Sequence, residues 1–151
     1  MIRLDKIKGS AHIASFTFAT TLTNGAVVAL GALNTDGESY IGGAVANVAT
    51  DKIVFHASVE LQYAVDAMEE DYTLKIGGKG RGYILEKGDI VTITDDQLTG
   101  TTVVGGFVLP VVGTKLAFSA SARTTENLAF QVIEKTTLGG AVATALEVIY
   151  A

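Results

Sequence analysis

The sequence predicts an all-β chain: a compact barrel or sandwich with an internal pseudo-two-fold duplication and room for one short helix. Three observations predict it. Apolar residues recur in short runs, several of them alternating with polar ones, which is the period of a strand rather than of a helix. Turn-forming pairs separate the runs, and the chain carries 17 glycines against one proline, Pro110. Residues 22–58 align without gaps on residues 85–121, with 12 identities in 37 positions at a spacing of 63. Self-similarity at a fixed spacing signals repeated construction, and its tightest part is GGxVxxVxxxKxxFxAS at 42–58 and 105–121.

The elements follow in order. Residues 12–20 (HIASFTFAT) place Phe16 and Phe18 on one side of a strand. Asn24-Gly25 is a turn pair before the apolar run 26–30, and Lys87-Gly88-Asp89 stands likewise before 90–93. Asp36-Gly37 and Thr99-Gly100 mark the next connection. The stretches 40–48 and 103–109 read as strands that double glycines bend or bulge. Residues 53–58 alternate, and the alternation runs on through 65 as one long half-buried strand; 59–70 leaves a helix as the lesser reading. Segments 72–76 and 81–86 flank Gly77-Gly78-Lys79-Gly80 as a candidate hairpin with a glycine-rich tip. Residues 128–133 and 142–150 close the chain as strands, the alanines of the last leaving a helix open. No linker divides the halves, so residues 1–151 read as a single domain.

Composition excludes several chemistries. With no cysteine there is no disulfide framework, thiolate catalysis or sulfur-ligated zinc. A net charge of -5 argues against a general nucleic-acid binder. No basic-then-apolar leader opens the sequence and no apolar run reaches a spanning length, so neither export by a cleaved signal nor a membrane partner is expected. Residues 77–82 (GGKGRG) fail as a phosphate loop, because Lys79 precedes Gly80 rather than Ser or Thr and a strand follows instead of a helix. They read as a hairpin tip with two positive charges, in preference to a small-anion or surface contact. Glu69-Glu70-Asp71 lacks the alternating donors and central glycine of a calcium loop. His12 and His56 are too few and too far apart for a metal site. His56 does stand out in the repeat, where its counterpart is Ser119. No catalytic, cofactor-binding or metal-binding residue is assigned, and the chain is not expected to be an enzyme.

One feature points to assembly. Residues 97–114 hold no charged side chain, whereas the matching region of the first half carries Asp36, Glu38 and Asp51. A charge-poor second half suits an interface, or simply a more buried half. The candidate contacts are the region 103–109, with Phe107, Val108 and Leu109 foremost, and the N-terminal segment 2–8, with Ile2, Arg3, Lys6 and Lys8. That segment suits pairing with a partner strand.

The phrases YILEKGDIVTITDD (83–96), GGFV (105–108) and LAFQVIEKTTLGG (128–140), with the small size, absent cysteine and abundant glycine, resemble the small auxiliary proteins that decorate the capsids of tailed bacteriophages. The resemblance is one of style across much of the chain and carries no residue roles. It implies a structural protein on the virion surface, made in the host cytoplasm, that binds the major capsid protein and stabilises the shell, with homo-oligomers at local symmetry axes. The internal duplication departs from single-unit decoration proteins and leaves the trimer open. The alternative is a carbohydrate- or surface-binding β module, with Tyr40, Tyr63 or Tyr83 exposed beside polar residues.

Overall fold

Strands make up almost all the regular structure in the computed structural model, which describes residues 2–7, 12–58 and 72–151. The first strand is β1 (Ile2–Lys6). The first half of the chain then gives β2 (His12–Thr17), β3 (Leu22–Thr23), β4 (Val27–Leu33), β5 (Tyr40–Gly43) and β6 (Ile53–His56). The middle gives β7 (Thr73–Leu74) and β8 (Lys79–Ile84). The second half gives β9 (Ile90–Thr94), a single 3-10 turn (Asp95–Gln97), β10 (Leu98–Thr99), β11 (Phe107–Pro110), β12 (Leu116–Ser119), β13 (Ala129–Leu138) and β14 (Ala141–Tyr150). The all-β reading therefore holds, and the last segment is a strand despite its alanines. The strand expected over 59–65 lies outside the described residues.

These strands form two lobes. Five close into a small barrel in the order β2-β5-β4-β6-β8. Seven form a sheet in the order β1-β9-β14-β13-β11-β12-β10, antiparallel except for β10 against β12. A two-stranded ribbon of β3 and β7 completes the fold.

Apolar runs without strict alternation arise where a strand is covered on both faces. In β4, Val27 joins the core shared with the sheet while Val28 points into the barrel; in β6, Phe55 and Val54 divide the same way. The shared core sets Val27, Phe55 and Ala57 against Val91, Ile93, Phe130, Val132, Leu146 and Val148. The barrel's own core is built on Phe16, Val28, Val54 and Leu74. The bridge between Val45 and Gly113 and the bond from Val27 N–H to the Thr114 carbonyl (2.9 Å) tie the lobes together at backbone level.

The glycine-rich stretch is not a hairpin tip. Its turn is 75–78, closed by Gly78 N–H on the Lys75 carbonyl at 2.9 Å. The two flanking strands do not pair with each other: β7 joins β3, and β8 joins β2 and β6. Gly80 and Gly82 alternate along β8 with exposed Lys79 and Arg81, so the glycines face inward. There they make room for Phe16 and Val54. A Cβ on Gly80 would sit 2.8 Å from Phe16 Cζ, and one on Gly82 would sit 2.4 Å from Val54 Cγ2. Gly42 of β5 faces Phe16 from another wall, at 2.9 Å from Cδ2. A barrel of five strands is narrow, and side chains normally fill it. Here Phe16 shares it with Val28, Val54 and Leu74, and glycines yield to them.

The repeat is visible in local structure but not in strand pairing. Gly25 and Gly88 have φ of 91° and 92°, and β4 and β9 begin two residues after each. β6 and β12 occupy matching positions in the two copies. Yet β6 pairs with β4, while β12 pairs with β10 and β11. The strand that lies beside β9 as β6 lies beside β4 is β14. Gly25 N–H reaches the His56 carbonyl and His56 N–H reaches that of Ala26 (2.9 and 2.8 Å). The second lobe repeats this with Gly88, Val148 and Asp89, at 2.8 and 2.9 Å. The stretch 103–109 also departs from its counterpart: 103–106 is a turn and the strand starts only at Phe107.

Candidate functional site

The N-terminal segment is an edge strand of its own sheet. Ile2 pairs with Ile93 and is buried, while Arg3 and Lys6 face solvent. Arg3 also pairs with Asp5, which in turn accepts from the Thr92 hydroxyl. A register shift between Leu4 and Lys6, with alternating charges, blunts this edge. Lys8 lies outside the described residues. Of the apolar trio, Phe107 is half-buried, and Val108 and Leu109 belong to the interior. Neither of the last two offers its side chain to a partner while the fold is intact. The exposed apolar groups of the charge-free stretch are at the two ends of β11. Val103 (58%) and Val104 (57%) form one end, and Val111 and Val112 (75%) the other. Sequence reasoning held Val103 and Val104 only within the region 103–109 and left out Val111 and Val112, because a turn valine and a strand valine look alike in a run such as VVGGFVLPVV.

The turn 103–106 is fastened to β13 by Gly105 N–H to the Val132 carbonyl (2.8 Å) and Val132 N–H to that of Gly106 (2.9 Å). A Cβ on Gly106 would lie 2.3 Å from Phe118, so this glycine is fixed by close packing. The valines therefore stand on a rigid support. Ile133, next to the fastened Val132, is also exposed.

Three polar clusters accompany this surface. The first lies inside the barrel lobe, at His56, whose side chain is fully buried. Its Nδ1 lies 2.9 Å from the Thr23 carbonyl, which only accepts, so Nδ1 carries the proton. Nε2 then accepts from the Ser58 hydroxyl at 3.0 Å, and Ser58 Oγ accepts from Arg81 N–H at 2.8 Å. Asn24 clamps Ser58 from the other side: Nδ2 donates to the Ser58 carbonyl and Ser58 N–H donates to Oδ1, both at 2.9 Å. Burial holds this imidazole below its usual pKa, with the Thr23 carbonyl acting the other way. The serine–histidine–carbonyl connectivity has the form of a nucleophile with its base, but both side chains are buried, so it acts as an internal clamp.

In the second cluster Lys135 of β13 donates to Asp95, to Thr102 Oγ1 (2.6 Å) and to Thr144 Oγ1 (2.8 Å). Thr144 also donates to Asp95 Oδ1 at 2.6 Å. All three ammonium donors are used, which pins the turn after β9 across β14 to β13. The third cluster is on the surface. Asp36 accepts from the N–H groups of Glu38 and Ser39 (2.9 Å each) and from the Ser39 hydroxyl (2.7 Å). Lys79 lies 3.1 Å from it and 3.3 Å from Glu38. The Glu38 N–H, the Ser39 donors and Lys79 hold the Asp36 carboxyl far below the usual range. Lys79, one of the two expected free charges of the glycine-rich stretch, is thus engaged within the chain.

An open groove of about 330 Å³ runs between β4 and β5, walled by Ala29, Leu30, Ile41 and Asp51 over a floor of glycines. Tyr40 is half-buried, with Lys52 Nζ 5.4 Å from its ring centre, and Tyr83 packs against the shared core. Tyr63 lies outside the described residues. Among the described residues no group of three or more His, Asp or Glu is placed to hold a metal ion. No helix among them is long and apolar enough to cross a membrane. Set against family models, curated proteins and solved structures, the chain matches none of them.

Proposed function

We propose that this protein is a structural component that binds the outside of a phage capsid lattice and stabilises the shell, working by surface burial rather than by chemistry. The observation that carries the reading is the set of exposed valines, Val103, Val104, Val111 and Val112, on the charge-free stretch 97–114. Scattered apolar residues on a surface are ordinary. Four from a single charge-free stretch, one pair held by glycine packing, suit a rigid contact with a neighbouring subunit. The likeness in style of segments 83–96, 105–108 and 128–140 to phage decoration proteins supplies the kind of partner, the major capsid protein. A homo-oligomer through the same surface is part of the proposal.

Removing the N-terminal strand is a poor test, because it strips β9 of a partner and uncovers the core around Ile2. Surface substitutions are cleaner. Val104→Asp and Val112→Asp, each checked for native circular dichroism, should abolish co-sedimentation with purified capsid shells and reduce any oligomer seen by light scattering. Retention of both properties in the double variant would overturn the reading. Arg3→Glu with Lys6→Glu tests the N-terminal edge in the same assay.

A further inference from the structure

We infer that His56 is a proton-operated latch: a proton taken up at Nε2 opens the seam where the β3–β4 turn, the end of β6 and strand β8 meet, and so loosens the barrel lobe in acid. The seam is built on three sides of this residue. Its backbone bridges Gly25 and Ala26, and Ala57 N–H reaches the Arg81 carbonyl at 3.1 Å. Ser58 is held by Asn24, and its hydroxyl receives Arg81 N–H. The imidazole closes the circuit by accepting the hydroxyl proton of Ser58.

When the Nε2 lone pair binds a proton from solvent, Nε2 becomes a donor. Ser58 Oγ then accepts from both Nε2–H and Arg81 N–H, and its own O–H loses its acceptor. A positive charge is created at the same moment inside an apolar interior. Among the described residues, the groups facing the ring bring no negative charge to offset it. β2 presents Phe16, with ring centres 5.4 Å apart, and Tyr72 presents a phenol ring at 6.3 Å. The β3–β4 turn offers Thr23 and Asn24, both uncharged, and β8 sets Gly82 opposite His56. Arg81 contributes its backbone, while the residue itself is exposed. Among the described residues no carboxylate on these elements faces the imidazole.

The second lobe supplies an internal control. The same double backbone bridge closes there on Val148, an apolar core residue. The bridge therefore does not need an imidazole. The sequence counterpart Ser119 sits elsewhere, in β12, with its hydroxyl on the Ser121 carbonyl. A titratable group has been placed in one lobe at a position the other fills with valine, and that asymmetry singles out His56.

The sign follows from linkage. A histidine kept neutral by burial has a folded pKa below its unfolded one, so opening takes up a proton. The seam is at full strength above the ordinary histidine value and weakens as pH falls toward the folded one.

Amide exchange on the full chain, from pH 7.5 to 4.5 and corrected for intrinsic chemistry, reads this directly. The opening constant at the Ser58 and Arg81 amides should rise about tenfold per pH unit between the two pKa values. The Gly88 and Val148 amides should lack that slope. His56→Gln keeps a polar side chain but cannot titrate, and should flatten the slope at the seam. A slope that persists in His56→Gln, or one shared equally by Val148, overturns the proposal. Should that variant fail to fold, NMR of the wild-type chain decides: the His56 ring and the seam amides must titrate together, and independent behaviour overturns the latch.

Discussion

Gly82→Ala adds a single methyl group to β8 and should destabilise the protein out of proportion to its size. The added Cβ falls 2.4 Å from Val54 Cγ2 and 2.9 Å from Val54 Cβ, and Val54 is fully buried, so it cannot turn out into solvent. To restore ordinary contact the facing strands must part by on the order of 1 Å, against the close packing of the interior. Overpacking of this kind costs about 1–3 kcal/mol, and this contact belongs at the upper end. Alanine also narrows the unfolded ensemble, which returns about 0.4–1 kcal/mol. The net loss is about 2 kcal/mol, or a fall in Tm of about 4–8 °C for a chain of this size. Gly43→Ala is the control, since its Cβ meets nothing within 4 Å; it should be neutral or stabilising by about 0.4–1 kcal/mol. Urea denaturation of both variants gives the comparison. Val54→Ala in the Gly82→Ala background removes the colliding methyl, so the two losses should add to less than their sum by about 1 kcal/mol. If Gly82→Ala is as stable as Gly43→Ala, the account of a barrel closed around Phe16 and Val54 by glycine is wrong.

Two further outcomes follow from the polar clusters. Lys135→Met should cost about 1 kcal/mol in urea denaturation, because the ion pair is about a third exposed and weak, and the buried Thr102 and Thr144 lose a charged donor but keep each other and Asp95 as partners. Added salt should narrow the gap between wild type and variant. The Asp36 carboxyl should remain ionised in an NMR titration after ordinary carboxylates have taken their protons. Its contribution is present above the ordinary carboxylate value and lost as pH falls through the depressed one. Asp36→Asn should accelerate exchange at the Ser39 amide at neutral pH.

The strands themselves were legible because burial on one face writes a period of two, and turn glycines such as Gly25 and Gly88 announce themselves. Which strand lies beside which was not legible. β6 and β12 share a sequence pattern, yet their partners differ because β14 comes late in the chain and takes the place beside β9. The glycines of β8 misled for a related reason: Gly80 and Gly82 look like turn residues until the ring of Phe16, more than sixty residues earlier, is set against them. At the surface, sequence picked out the region 103–109 but put Val108 and Leu109, which β11 turns inward, ahead of Val103 and Val104, and left out Val111 and Val112. His56 was noticed only as a break in the repeat. Its carbonyl partner Thr23, and the groups that hold its neighbour Ser58, Asn24 and Arg81, come from distant parts of the chain, and no local spacing links them to it.

The placement of β1 bears on how the chain reaches this state during synthesis. The barrel strands all lie within residues 12–84, so that lobe can close while the rest is still being made. β1 precedes the barrel strands but belongs to the other lobe, where its partner β9 is flanked on the far side by β14. Until β14 arrives, β9 is a sheet of one strand, and pairing it with β1 closes a long loop for little return. β1 is thus made before the barrel and secured after it. For that interval Ile2 and Leu4 are uncovered, which leaves the nascent chain open to capture by chaperone or protease until β14 has been made.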